Sequence, residues 1–276
     1  MPERKILFIN SHKLEDFQTC PYKYNLYHIE GLEPKAETRL GLVKGTVWHG
    51  MMRVWNQGII KGRDKFELHA ECLDWFWDNH PAIISSEEAH LIAQRFTDYR
   101  VKYQADNYTP LAAEKGFSKL LYEDAYCQVI YEGTIDLLLR MKDGTLAWLD
   151  YKTQHPGFSR DQYHYSNQFL GYTWAVGNSH GFIDYTTWSK TITNKTLRRS
   201  LVSMSPERIE TWKQLTINWA LDIIRTHIQG YFIQNYSACD TKYGICRYTP
   251  ICTAEKAIIT MVKEREFQVV EPYRSW

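Results

Sequence analysis

The stretch from Glu132 to Lys152, EGTIDLLLRMKDGTLAWLDYK, constrains the fold of this chain more than any other. Two apolar, strand-like runs flank Lys142-Asp143-Gly144, the composition of a tight hairpin turn. Asp136 interrupts the first run, and Asp150 and Lys152 interrupt the second. A carboxylate inside an apolar strand is costly unless it is paired, hydrogen-bonded or bound to a metal. The length of the turn decides where the two acids go. A three-residue loop with Gly144 in the left-handed region sets Met141 opposite Thr145. Counting outward, Arg140 then faces Leu146, Leu138 faces Trp148 and Asp136 faces Asp150, with Lys152 further along the same side. A two-residue loop would instead set Asp136 opposite Tyr151 and send the acids to different faces. Adjacent carboxylates repel unless a proton or a cation lies between them. A hard cation, Mg²⁺ or Mn²⁺, is the natural occupant.

Gly133-x-x-Asp136 followed by Asp150-Tyr151-Lys152 resembles the PD-(D/E)XK nuclease superfamily, in its RecB-like branch. Two further marks of that branch have counterparts here. Gly45-Thr46-Val47-Trp48-His49 matches its early helical histidine, and Gln168-Phe169-Leu170-Gly171-Tyr172 matches its Gln-x-x-x-Tyr helix. The resemblance implies an αβββαβ restriction-endonuclease-like core and a metal held by Asp136, Asp150, His49 and the backbone carbonyl of Tyr151. Imidazole suits Mn²⁺ better than Mg²⁺. Lys152 is expected to hold and polarise the attacking water. Gln168 and Tyr172, four apart and so on one helical face, either position Lys152 or a DNA phosphate, or simply pack an amphipathic helix. Glu114 resembles an acidic residue often found on the preceding strand, and is as readily structural as functional.

Six cysteines in a chain expected to work in a reducing, intracellular compartment favour thiols or metal ligands over a disulfide scaffold. Cys239-x6-Cys246-x5-Cys252 lies near the C-terminus, and Cys20 stands beside Pro21 near the N-terminus. Some RecB-like nucleases, of the AddB type and the CRISPR-adaptation type, hold a [4Fe–4S] cluster on one N-terminal and three C-terminal cysteines. The resemblance extends that clasp to Cys20, Cys239, Cys246 and Cys252, although the x6 gap is wider than is frequent there. Structural Zn²⁺ is the rival occupant. Cys72 and Cys127 fall in helix and strand patterns and read as core residues.

The remainder reads as an α/β protein with a mixed central sheet, treated as one nuclease domain over 1–276. A helical N-terminal part (1–107) precedes an α/β core (108–204), then a C-terminal helix and cysteine loop (205–276). Helices are expected from Leu40 to Gln57, Asp64 to Asn79, Ser86 to Tyr103, Ser159 to Val176 and Pro206 to Gln234, with Gly31 to Arg39 a polar loop. The first strand is expected at Leu111 to Leu121. Net charge is +1, so phosphate binding must come from local clustering rather than global attraction. Aromatic residues make up 14% of the chain, enough for a few to stack on unpaired bases. No stretch approaches a membrane span, and an intracellular, cytoplasmic protein is expected. These marks point to a metal-dependent deoxyribonuclease with DNA, in single-stranded form, as its partner and no membrane. Exonucleolytic action on DNA ends in repair or recombination is the first expectation. A structure-directed endonuclease, a CRISPR-adaptation nuclease and a non-catalytic DNA-binding recombination partner are the alternatives.

Overall fold

The computed structural model describes residues 4–35, 40–154, 163, 165–191, 193, 196–241 and 244–271. In chain order its elements begin with β1 (Lys5–Ile9), α1 (Ser11–Thr19), α2 (Pro21–Tyr24), a π-helical turn (Asn25–Ile29) and β2 (Leu32–Pro34). Three helices follow: α3 (Leu40–Ile60), α4 (Lys65–Asn79) and α5 (Ser86–Lys102). Then come β3 (Tyr108–Glu123), β4 (Cys127–Met141), β5 (Leu146–Gln154), α6 (Asn167–Val176), β6 (His180–Thr187), β7 (Leu197–Ser203) and α7 (Pro206–Gln229). The C-terminal part holds β8 (Asp240–Thr241), β9 (Gly244–Ile245), α8 (Thr249–Thr253), α9 (Ile259–Glu266) and β10 (Phe267–Val269). From α5 to β6 the order is αβββαβ, and the protein is a mixed α/β fold.

The chain forms two compact units, each assembled from separate stretches. One comprises Met1–Glu37, Ser118–Gly133 and Glu210–Trp276; the other comprises Thr38–Phe117 and Thr134–Ile209. In the second unit, β4 pairs antiparallel with β5, β5 parallel with β6, and β6 antiparallel with β7. Strand β5 lies between a parallel and an antiparallel neighbour, and Ala147 to Tyr151 are buried on both of its faces. That accounts for its near-continuous apolar run, broken at Asp150. Helix α3 buries Val47, Trp48, Met51 and Met52 at helical spacing against Leu137, Leu139 and Leu149 of the sheet. Its glycines set how closely neighbours approach. A Cβ on Gly58 would meet the Leu68 side chain at 2.3 Å, and one on Gly50 would meet Trp75 Cη2 at 2.1 Å. Asp64 caps α4 by accepting from the Phe66 and Glu67 amides, and Ser85 with Glu88 forms a reciprocal capping box on α5.

In the first unit, β1 runs parallel to the N-terminal half of β4, with Lys5 opposite Cys127 and Ile9 opposite Tyr131. Strand β2 pairs antiparallel with β10. Leu26, Leu32, Tyr248, Ile251, Val262 and Phe267 make the core there. Tyr248 stacks on Phe267 with ring centroids 5.6 Å apart and donates from its hydroxyl to Leu32 O at 2.7 Å.

Several expectations are corrected. The N-terminal third is not purely helical: KILFI is a buried-side strand, and Leu32–Pro34 breaks the expected polar loop with a short one. The long helix ends at Gln229 rather than Gln234, because Gly230 takes φ +67° and its amide donates to Thr226 O at 3.0 Å, closing the last turn. Helix α6 begins at Asn167; of the expected span from Ser159, residues 159–162 and 164 lie outside the described residues.

Candidate active site

The hairpin carries the three-residue turn. Met141 N donates to Thr145 O at 2.8 Å, Gly144 N donates to Met141 O at 3.0 Å, and Gly144 has φ +86°. The ladder pairs Leu138 with Trp148 and Leu137 with Leu149, so Asp136 falls opposite Asp150 by count. The side chains then diverge. Asp136 Oδ2 accepts from the Tyr151 amide at 2.9 Å and lies 3.3 Å from His49 Nδ1. Asp150 turns the other way: its Oδ2 lies 2.7 Å from Lys152 Nζ, and its Oδ1 accepts from Gln168 Nε2 at 3.2 Å.

Three elements converge on Asp136. Helix α3 brings His49, whose ring packs edge-on against Tyr151 at 6.1 Å. Strand β3 brings Glu114, and β4 brings Asp136 itself. One ligand atom from each of His49, Glu114 and Asp136 lies within 4.8 Å of the others. Burial raises the Glu114 carboxyl above its ordinary range, and the charge on Asp136 adds to the rise. Burial opposes protonation of His49, but the hydrogen bond and charge of Asp136 outweigh it and raise that imidazole. Asp150 is fully buried, and burial pushes its carboxyl up to about 6, with Lys152 opposing the shift and Asp136 adding to it. Two carboxylates and an imidazole, gathered closely and electrically strained without a cation, suit a hard or borderline divalent ion.

A hydrogen-bonded chain holds Lys152. Its Nζ donates to Gln168 Oε1 at 3.1 Å, Gln168 Nε2 donates to Tyr172 Oη at 2.8 Å, and Tyr172 Oη donates to Thr134 O. Helix α6 supplies both Gln168 and Tyr172 from one face. Behind the site, Asn56 Nδ2 donates to Tyr151 Oη at 2.8 Å, where both groups are buried. His49, Glu114 and Lys152 open onto a cleft of about 1140 Å³ whose walls include Arg53, Trp75 and Trp188.

The close group of His49, Glu114 and Asp136 could hold a metal ion, while Asp150 is hydrogen-bonded and ion-paired with Gln168 and Lys152. Sequence reasoning gave Glu114 little weight and did not single out Arg53, Asn56 or Trp75. Arg53 and Asn56 were reachable by helical spacing, four and seven places after His49. Nothing in the local sequence marks Trp75.

The four cysteines of the expected clasp all lie in the first unit and are free thiols. Asn235 N donates to Cys20 Sγ at 3.4 Å, Cys239 Sγ lies 3.9 Å from Asn235 O, and Cys246 N donates to Cys239 O at 2.7 Å. Burial, followed by the charges of Cys246, Cys20 and Cys239, pushes the Cys252 thiol up to about 11. Four thiols that feel one another across 232 positions of sequence are a donor set suited to a soft metal centre. Cys72 and Cys127 are buried elsewhere, in α4 and β4.

The family model of the PD-(D/E)XK nuclease superfamily matches residues 9–253. The chain belongs to that superfamily, and the protein is a nuclease. Among solved structures, one from Eubacterium rectale, assigned as an exonuclease, is similar over 92% of both chains, with a TM-score of 0.53 and 14% identity, a likeness of fold. An alkaline exonuclease of Laribacter hongkongensis is similar over 66% of this chain and 96% of its own, with a TM-score of 0.32 and 10% identity. No curated protein matches the chain in sequence. Among the described residues, no helix is long and apolar enough to cross a membrane.

Proposed function

We propose that the protein is a metal-dependent DNA exonuclease acting on single-stranded ends, in DNA repair or recombination, inside the cell. The observation that carries this reading is the convergence of His49, Glu114 and Asp136 at a cleft where Lys152 is held by Asp150 and Gln168. His49, Glu114 and Asp136 would hold a divalent cation, with Asp150 and the Tyr151 carbonyl at hand as further oxygen donors. Such an ion supplies Lewis acidity at a phosphoryl oxygen and lowers the pKa of water beside it. The chain's own residues do the positioning. Lys152, fixed by Gln168 and Asp150, presents a cation that orients the attacking water and offsets charge growing on the phosphate. Tyr172 keeps Gln168 in register by anchoring it to the β4 backbone. Breaking the P–O3′ bond, with the 3′-oxygen as the leaving group, would leave 5′-phosphate and 3′-hydroxyl ends, as the family resemblance implies.

The exonuclease reading draws on the Eubacterium rectale protein, whose fold spans nearly the whole chain. Labelled linear and circular DNA, each single- and double-stranded, incubated with Mn²⁺ or Mg²⁺, test it directly. Linear single strands should be degraded from an end, EDTA should stop the reaction, and Asp136→Ala should abolish it in protein that melts like the native chain. Cutting of circles would move the reading to a structure-directed endonuclease. Undiminished activity in Asp136→Ala would overturn the site itself.

We further propose that Cys20, Cys239, Cys246 and Cys252 hold a [4Fe–4S] cluster. Iron–sulfur clusters are bound by four thiolates, and Cys20, Cys239 and Cys246 all lie near enough to Cys252 for their charges to act on its thiol. The cluster's contribution would be structural.

A further inference from the structure

The active-site cleft has a wall that the hydrolytic residues do not explain. Trp75 of α4 lies across α3 at Gly50, one residue past His49; a Cβ there would meet its six-membered ring at 2.1 to 3.0 Å. Any side chain at position 50 would therefore evict the indole. Glycine inside a helix costs about 1 kcal/mol relative to alanine, and here it makes the seat that brings an aromatic surface to the cleft beside the metal-ligating histidine. Arg53, four residues after His49 and so on the same helical face, is exposed and lines the same cleft. Its charge reaches Glu114, yet it has no ion-pair partner among the described residues. The lysines that line the cleft are engaged: Lys44 lies 2.5 Å from Glu88, and Lys152 lies 2.7 Å from Asp150. With a net charge of only +1, the molecule has no global attraction for a polyanion, so a guanidinium that lines this cleft without an ion-pair partner among the described residues carries more of the task.

We propose that Trp75 and Arg53 form the grip on the strand being cut. An unpaired base stacks on the Trp75 indole, and the Arg53 guanidinium pairs with the phosphate next to the scissile one. Stacking on one indole tolerates any base, because every base has a π face, and it excludes a base still paired in a duplex. The grip rests on the nuclease reading of this cleft and gives it a substrate class, a strand with unstacked, sequence-indifferent bases.

The test is binding of a fluorescein-labelled oligothymidylate, and of the same length as a duplex with oligoadenylate, to the full chain in EDTA. Anisotropy is read between 50 and 200 mM KCl, with melting temperature as the folding control. Trp75→Ala should weaken single-strand binding ~5- to 160-fold and duplex binding much less, while Trp75→Phe should restore most of the loss. Arg53→Gln should flatten the slope of log affinity against log salt by about 0.7. If Trp75→Ala fails to fold, Gly50→Ala, which pushes the indole from its seat, takes its place beside Trp75→Phe. Unchanged single-strand affinity in a folded Trp75 or Gly50 variant, an equal loss for strand and duplex, or an unchanged salt slope in Arg53→Gln overturns the grip. A native chain that binds the strand but never cuts it with Mn²⁺ overturns the nuclease reading instead.

Discussion

Glu114 is the one described non-glycine residue at positive φ, 51°, and it sits in the middle of a strand. Such a conformation costs on the order of 1–3 kcal/mol and persists only where the surroundings impose it. Here it accompanies a carboxylate gathered with His49 and Asp136. Glu114→Gln should weaken Mn²⁺ binding at least about tenfold by calorimetry, without lowering the melting temperature of the metal-free protein. Asp150 makes a second prediction, for stability against pH. Its folded-state pKa, about 6, lies above the unfolded carboxylate value of about 3.9, so the folded chain binds the proton more tightly. The stability this contributes is complete below about pH 4 and is lost as pH rises towards 6, on the order of 3 kcal/mol for the metal-free chain. Urea unfolding in EDTA should show Asp150→Asn gaining on the native protein by that order between pH 4 and pH 6.5. A constant difference across that range would refute the assignment.

At the scale of elements, the hairpin was the most legible part of the chain. Lys142-Asp143-Gly144 pins the turn, and the turn pins the register that sets Asp136 opposite Asp150. Gly144→Val should cost about 1–2 kcal/mol, seen as a lower urea midpoint, and should reduce Mn²⁺ binding by shifting Asp136. The same reading ended at the carboxylates themselves. Facing Cα positions do not tell which way a side chain turns: Asp136 turns towards His49, and Asp150 turns towards Lys152. Strand β1 was missed because five residues are too few for a periodic signal, and its partner Cys127–Tyr131 is more than a hundred positions away. The positive φ of Glu114 and the seat of Trp75 on Gly50 were unreadable for the same kind of reason. Each is imposed by tertiary neighbours, and no local preference encodes it.

At the scale of the whole molecule, the first unit draws residues from both ends of the chain. Cys20 lies 219 positions before Cys239, and a shared centre would close that loop. In the chain-entropy model for covalent bridges, so long a closure restricts the unfolded chain by about 5 kcal/mol. Protein purified without oxygen should be brown, with iron and acid-labile sulfide. Cys20→Ala or Cys252→Ala should bleach it and lower its melting temperature, while Cys72→Ala and Cys127→Ala should keep the colour. A colourless preparation with one zinc per chain would replace the cluster with a structural zinc site. The pairing of β2 with β10, and of Leu26 and Leu32 with Tyr248 and Phe267, also sets a timetable. On the ribosome, at about 5–20 residues per second, Leu26 emerges roughly 10–45 s before the Tyr248 that will cover it. By then every strand of the second unit has been made. Nascent chains stalled short of residue 248 should therefore be open to proteases around Leu26 and Leu32, and released chains closed there, so that the first segment synthesised is among the last to be buried.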